Sequence, residues 1–105
     1  MNYAKFEEIK ALMGNDFKLL VDTYIRDNTK RVEEIGNSIN LVDYTKIKDI
    51  AHSMKSSSAN IGADEVSNIA SSIEQYANEL SISRIQALFP ILKKEIDEVF
   101  DILNN

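Results

Sequence analysis

The sequence contains no cysteine, no tryptophan and a single histidine, and only three glycines and one proline occur among its 105 residues. Without cysteine the chain has no disulfides, thiolate metal sites or thiol nucleophiles, which is compatible with a reducing compartment. So few glycines and prolines argue against a turn-rich β fold. The N-terminus lacks the basic and apolar segments of a signal peptide, and no apolar run approaches membrane-spanning length. We therefore expect a cytoplasmic protein with no membrane partner.

A long block of basic residues is also missing. Twelve lysines and arginines against seventeen acidic residues give a net charge of −5, and the scattered basic residues argue against a nucleic-acid partner. An apolar content of 44% over this length is enough for one hydrophobic core and little more. We therefore expect residues 1–105 to form a single, monomeric domain.

Apolar residues recur at intervals of three and four along most of the chain, which predicts amphipathic helices. We predict a short helix from Tyr3 to Met13, a long helix capped by Asn15 and reaching Ile39, a helix from Tyr44 to Ile61 between Asp43 and Gly62, a helix from Ala63 to Leu80, and a last helix from Ile82 to Leu103. Gly36 would let a neighbouring helix come close, and Pro90 predicts either a kink in the last helix or its division into two pieces. The pattern predicts an all-α, antiparallel up-down four-helix bundle with the short N-terminal helix capping it.

The single histidine, His52, lies in the second of the four long helices. Ala51, Met54 and Ser58 belong to the core stripe of that helix. Successive residues are about 100° apart around a helix axis. We therefore expect His52 to point outward.

Four residues share this outward face with His52, because residues three or four positions apart are neighbours on a helix. Lys48 lies one turn before it, Lys55 and Ser56 one turn after it, and Ala59 two turns after it. Histidine, with an unperturbed pKa of about 6.5, can attack a phosphoryl group as a neutral imidazole. Ammonium groups would hold the phosphoryl charge, and small side chains would leave room for a partner protein. This arrangement suits a phosphoryl acceptor.

Other chemistry has little support in the sequence. No glycine-rich phosphate-binding loop is present, so the chain should neither bind ATP nor phosphorylate itself, and we predict that it is not an enzyme. One histidine with scattered carboxylates gives no plausible set of metal ligands, and we expect no cofactor.

The residues around His52 form a more specific pattern. They read Ala51-His52-Ser53-Met54-Lys55-Ser56-Ser57-Ser58-Ala59-Asn60-Ile61-Gly62-Ala63. This run resembles the signature of histidine-containing phosphotransfer (HPt) domains of multistep two-component relays, in which His-x-(Leu/Met)-Lys is followed by small residues and Gly-Ala. The chain length and the order of the predicted helices are also similar to that family.

The resemblance implies an all-α bundle whose histidine accepts a phosphoryl group from the aspartate of one receiver domain and passes it to another. It makes His52 the phosphoacceptor and Lys55 the residue that stabilises the phosphoryl charge. The implied partners are receiver domains of response regulators or hybrid histidine kinases, and any Mg²⁺ would be bound by the receiver.

One position departs from the family pattern. Ser56 stands where the family most often has glycine, and its hydroxyl could either hydrogen-bond the phosphoryl oxygens or narrow the approach of a partner. Some members place a glutamine on the following helix within reach of the histidine ring. By count from His52 the corresponding position here is Glu74, with Gln75 beside it. We hypothesise that the Glu74 carboxylate orients the imidazole through its other nitrogen.

A receiver would need a docking surface near the histidine. We expect Lys48 and Ala59 to contribute to it. In the short first helix, Phe6, Ile9 and Met13 are not all expected to be buried, and an apolar patch formed by them beside His52 would dock a receiver.

Two other functions remain open. The bundle could bind and sequester a receiver or kinase without transfer, or the chain could be the phosphorylatable domain of a larger sensor or chemotaxis kinase. The presence of His52 favours transfer, and the initial methionine and self-contained length favour a free-standing protein.

Overall fold

Five α-helices and no β-strand make up the computed structural model, which describes all 105 residues. The helices are α1 (Tyr3–Met13), α2 (Phe17–Asn40), α3 (Tyr44–Ile61), α4 (Asp64–Asn78) and α5 (Ile82–Leu103), and a 3₁₀ turn, Gly14–Asp16, joins α1 to α2. The four long helices form an antiparallel bundle, and the predicted fold class is confirmed. The whole chain has extents of 41 × 21 × 19 Å.

The core is built from the apolar stripes of the four long helices. Its completely buried isoleucines are Ile35 of α2, Ile47 of α3, Ile73 of α4 and Ile85 of α5. Gly36 brings α5 close to α2, because a Cβ at this position would lie 3.0 Å from Cζ of Phe89. Truncation of a buried isoleucine to alanine typically costs about 2–5 kcal/mol. The packed stripes therefore fix the rotation of each helix and decide which residues of α3 face solvent.

Helix α1 caps the end of the bundle at which α3 ends and α4 begins. The backbone N–H of Asn2 donates to the carbonyl of Gly62 at 2.8 Å, and the Asn2 side-chain amide donates to Asp64 at 3.0 Å. Gly62 has a φ of 86°, and a Cβ there would lie 2.9 Å from the Asn2 carbonyl oxygen. Glycine therefore satisfies both the left-handed end of α3 and the close approach of α1.

The structure corrects the cap predicted for α2 and narrows the prediction for Pro90. Asn15 does not cap α2, because it lies within the 3₁₀ turn, and the Phe17 N–H donates to the Gly14 carbonyl instead. Of the two alternatives predicted at Pro90, division of the last helix is wrong, because α5 is continuous from Ile82 to Leu103. The proline lacks the N–H that would bond to the Gln86 carbonyl, but both residues are exposed, so water can satisfy that carbonyl.

Two connections place a residue with a Cβ in the left-handed region of backbone conformation. Val42, before α3, has a φ of 52°, and Leu80, after α4, has a φ of 56°. This conformation costs roughly 1–2 kcal/mol for a residue other than glycine. The Leu80 side chain is 67% exposed, so little buried surface offsets the strain.

Leu80→Gly is expected to raise the free energy of unfolding by about 0.5–1 kcal/mol, because relief of strain exceeds the extra entropy that glycine gives the unfolded chain. Leu19, which is 66% exposed inside α2, provides a matched control. Leu19→Gly should lower the free energy of unfolding by about 1 kcal/mol. Urea denaturation measures both changes, and equal destabilisation by the two substitutions would contradict the prediction.

Candidate functional site

His52 lies near the middle of α3 with its imidazole exposed. Ala51 and Met54 of the same turn are completely buried in the core. The His52 side chain is 60% exposed and lies outside that core. The structure thus shows the outward orientation that helix geometry predicted.

Glu74 of α4 contacts both His52 and Lys55. Its Oε2 lies 2.8 Å from His52 Nδ1, and its Oε1 lies 2.7 Å from Lys55 Nζ. The Glu74 side chain is only 16% exposed, so the two contacts are partly shielded from water. One carboxylate therefore joins the two residues of α3 to which the sequence pattern gave functional roles.

The contact with Glu74 decides which nitrogen of the His52 ring is free. A carboxylate only accepts hydrogen bonds, so Nδ1 carries the hydrogen and Nε2 holds the lone pair of the neutral ring. The hydrogen bond from Lys55 holds the pKa of Glu74 below its ordinary value, and the contact with His52 acts in the same direction, against the opposing effect of burial. Glu74 is therefore a carboxylate at neutral pH, and Nε2 is the ring nitrogen able to react.

A second contact between α3 and α4 fixes how the two helices are aligned along their length, and therefore which residues of α4 lie beside His52 and Lys55. The buried Ser67 hydroxyl donates to the Lys55 carbonyl oxygen at 2.9 Å. Ser67 and Glu74 are seven residues apart, about two helical turns, so both lie on the face of α4 that packs against α3. Sequence analysis missed Ser67, because its neighbours carry no pattern that distinguishes it from other helix serines.

The remaining residues predicted around His52 lie on the same side of α3. Lys48 and Ser56 are exposed, and Ala59 is half-buried. No carboxylate lies within 4.0 Å of Lys48 Nζ. A shallow depression beside the imidazole is lined by Lys48, Asp49, His52, Ser53 and Glu74. The structure thus brings His52, Lys48, Lys55 and Glu74 together, with small side chains beyond them.

The apolar residues predicted as a docking patch on α1 do not form one surface. Phe6 is buried and packs edge-to-face on Phe17, with ring centroids 5.3 Å apart. Its assignment to a docking patch is wrong, because the ring belongs to the core. Ile9 is half-buried and Met13 is exposed, next to the more exposed Leu12. The large exposed apolar side chains of α1 are therefore Tyr3 at its start and Leu12 and Met13 at its end.

Ser57 and Ser58, the last two serines of the Ser-Ser-Ser run, form hydrogen bonds between α3 and α2. Ser58 is completely buried, and its Oγ lies 2.8 Å from the hydroxyl of Tyr24. Burial raises the pKa of Tyr24 to about 12. Ser57 donates to the side-chain oxygen of the buried Asn28 at 3.4 Å. A buried hydroxyl needs a hydrogen-bond partner. The position of Ser58 in the core stripe was therefore the signal in the sequence that could have pointed to a buried polar partner such as Tyr24.

Comparisons with known proteins identify the family of this chain. A family model described as the Hpt domain matches residues 19–102. The chain belongs to the Hpt domain family. The phosphorelay intermediate protein rdeA of Dictyostelium discoideum is 33% identical to this Hpt domain over 86 residues, which are 82% of this chain but only 34% of that protein. The crystal structure of histidine-containing phosphotransfer protein B (HptB) from Pseudomonas aeruginosa PAO1 matches with a TM-score of 0.93 and 22% identity, covering 96% of this chain and 88% of that one.

No group of three or more His, Cys, Asp or Glu side chains in this Hpt domain is arranged to hold a metal ion. None of its helices is both long and apolar enough to cross a membrane. The monomeric state and the cytoplasmic location stay predictions.

The pair of Lys55 and Glu74 predicts a contribution to stability that depends on pH. The pKa of the Glu74 carboxyl is lower in the folded protein than the ordinary glutamate pKa of about 4.3. The pair therefore stabilises the fold fully at a pH above about 4.3, and this stabilisation is lost as the pH falls through the lowered pKa of the folded protein. In the His52→Gln background, which removes the imidazole, Glu74→Gln should therefore lower the free energy of unfolding near neutral pH. The loss should shrink as the pH falls below about 4.

Urea denaturation at several pH values measures this difference. Glu34→Gln is the control, since Glu34 lies 3.8 Å from Lys30 in an exposed pair and its loss should matter little at any pH. A loss for Glu74→Gln that does not change with pH would contradict the prediction.

Proposed function

We propose that this Hpt domain carries a phosphoryl group on Nε2 of His52, accepting it from the aspartyl phosphate of one receiver domain and donating it to the aspartate of another. The observation that carries the proposal is the exposed imidazole whose Nδ1 is bonded to Glu74. This leaves Nε2 as the nucleophile. Membership of the Hpt family and the name of the relative, a phosphorelay intermediate, support the same class of reaction.

Each transfer forms one bond and breaks one. In the accepting step, the Nε2 lone pair of His52 attacks phosphorus, the P–O bond to aspartate breaks, and the electron pair leaves with the aspartate carboxylate. The hydrogen on Nδ1 stays on the ring, hydrogen-bonded to Glu74, so no proton has to move. The donating step reverses these events. A Mg²⁺ ion bound by the receiver would offset the charge of the transferred group.

The neighbours of His52 support this use of the imidazole. We assign Lys48 and Lys55 to the phosphoryl charge, because an ammonium group binds anionic oxygens through charge-assisted hydrogen bonds. Ser56 presents an exposed hydroxyl that can donate to the phosphoryl group, and the small Ala59 leaves an approach path for the receiver.

His52→Gln tests the proposal directly. Wild type and variant are incubated with receiver domains from the same organism that were first phosphorylated with radiolabelled acetyl phosphate. The wild type alone should take up label, and the label should be acid-labile and base-stable, as expected of a phosphoramidate bond. Equal labelling of the two proteins would refute His52 as the acceptor. Binding without labelling for every receiver would favour a sequestering module.

Receiver docking is assigned to the end of α1. Met13 and Leu12 are exposed there, and Ile9 is the half-buried neighbour. Met13→Asp is expected to weaken binding of the receiver that labels His52 fastest by about tenfold, while changing the free energy of unfolding by less than about 0.5 kcal/mol.

Ile91→Asp is the matched control for docking. Ile91 is also exposed, but it lies on α5, which packs against α2 and α4 and does not contact α3. Calorimetric titration should show unchanged receiver affinity for this variant. Equal weakening by the two substitutions, or a large loss of stability in Met13→Asp, would remove α1 from the docking surface.

A further inference from the structure

Of the two lysines beside His52, Lys55 is paired with a carboxylate and Lys48 is not. Lys55 Nζ is bound to Glu74 Oε1 at 2.7 Å, and its side chain is half-buried between α3 and α4. Lys48 is exposed and has no carboxylate within 4.0 Å. The lysine to which the family pattern gives the phosphoryl charge is therefore already paired when the imidazole is unmodified.

The position of Glu74 separates this pairing from the reacting nitrogen. Glu74 lies on the Nδ1 side of the His52 ring, whereas a phosphoryl group on Nε2 would extend from the other side of the ring. An ammonium group in contact with Glu74 Oε1 is then not placed on the phosphoryl oxygens. The flexible four-carbon stem of Lys55 lets it move from one anion to the other.

The geometry points to competition between Glu74 and the phosphoryl group for Lys55. Glu74 thereby weakens the binding of Lys55 to the phosphoryl group and favours transfer of the phosphoryl group to the next acceptor. The inference rests on the proposed phosphoryl transfer at His52 and adds a regulator of the balance between phosphorylated and free histidine. Glu74 is a positioning residue in this account, because it acts through Lys55.

The competition predicts that the contribution of Lys55 depends on residue 74. The proteins to compare are the wild type, Lys55→Met, Glu74→Gln and the double variant. Glutamine keeps an oxygen that can accept from Nδ1 but removes the negative charge that binds Lys55. Phosphoramidate serves as the donor: its N–P bond breaks, the Nε2–P bond forms, and ammonia leaves.

Intact-mass spectrometry measures the ratio of phosphorylated to free protein at a fixed ratio of phosphoramidate to ammonia. In the wild-type background, Lys55→Met should lower this ratio by less than about twofold. The reason is that Lys55 of the wild type gains a contact with the phosphoryl group only by losing its contact with Glu74. In the E74Q background the same substitution should lower it by roughly fivefold, since Lys55 then has no competing anion.

Lys48→Met provides the matched control on the same face of α3. Lys48 is not paired with Glu74, so its effect on the ratio should be the same in both backgrounds. Urea denaturation of every variant confirms that the proteins compared are folded. The shift of the Lys55 effect between backgrounds is a readout that a merely structural role of Glu74 would not produce.

Three outcomes decide the question. Equal effects of Lys55→Met in the two backgrounds would overturn the competition. A larger effect in the wild-type background would also overturn it, because Lys55 would then bridge both anions. Wild-type protein that takes up no phosphoryl group at His52, from phosphoramidate or from a phosphorylated receiver, would instead overturn the proposed function on which the inference rests.

Discussion

The hydrogen bond between His52 Nδ1 and Glu74 is the constraint on which the reactive face depends. An exposed imidazole without a partner would sample both tautomers and many orientations, and either nitrogen could react. A carboxylate only accepts hydrogen bonds, so this contact favours the tautomer with the hydrogen on Nδ1 and the lone pair on Nε2. Because the second oxygen of the same carboxylate binds Lys55, the His52 imidazole and the Lys55 ammonium group are held by one side chain from another helix.

The bundle keeps that carboxylate in place through contacts on both flanks of α3. Toward α4, the Ser67 hydroxyl donates to the Lys55 carbonyl, two helical turns before Glu74. Toward α2, Ser58 and the Tyr24 hydroxyl form a buried hydrogen bond. Leaving one partner of a buried hydrogen bond unsatisfied costs about 1–3 kcal/mol, so rotation or sliding of α3 is disfavoured on each side. The shape of the site is thus a property of three helices, although its reactive atom belongs to one.

The orientation of residues within one helix could be predicted from the sequence, but the contacts between helices could not. Periodicity within one helix predicts which residues face the core, and it placed His52 outside and Ser58 inside correctly. It contains no information on how far two helices slide along each other, so the pairing of Lys55 with Glu74 could not be derived from the stripes. Phe6 was misassigned because α1 is short, and its burial depends on how α1 crosses the end of the bundle.

The most direct test of the account is the protonation pattern of the His52 ring, observed by two-bond ¹H–¹⁵N correlation spectroscopy of the ¹⁵N-labelled protein near neutral pH. The hydrogen bond to Glu74 predicts the Nδ1–H tautomer in the unmodified protein. After phosphorylation it predicts a ³¹P coupling to Nε2, with the hydrogen still on Nδ1. A predominant Nε2–H tautomer, or a phosphorus–nitrogen coupling to Nδ1, would contradict the central role of Glu74.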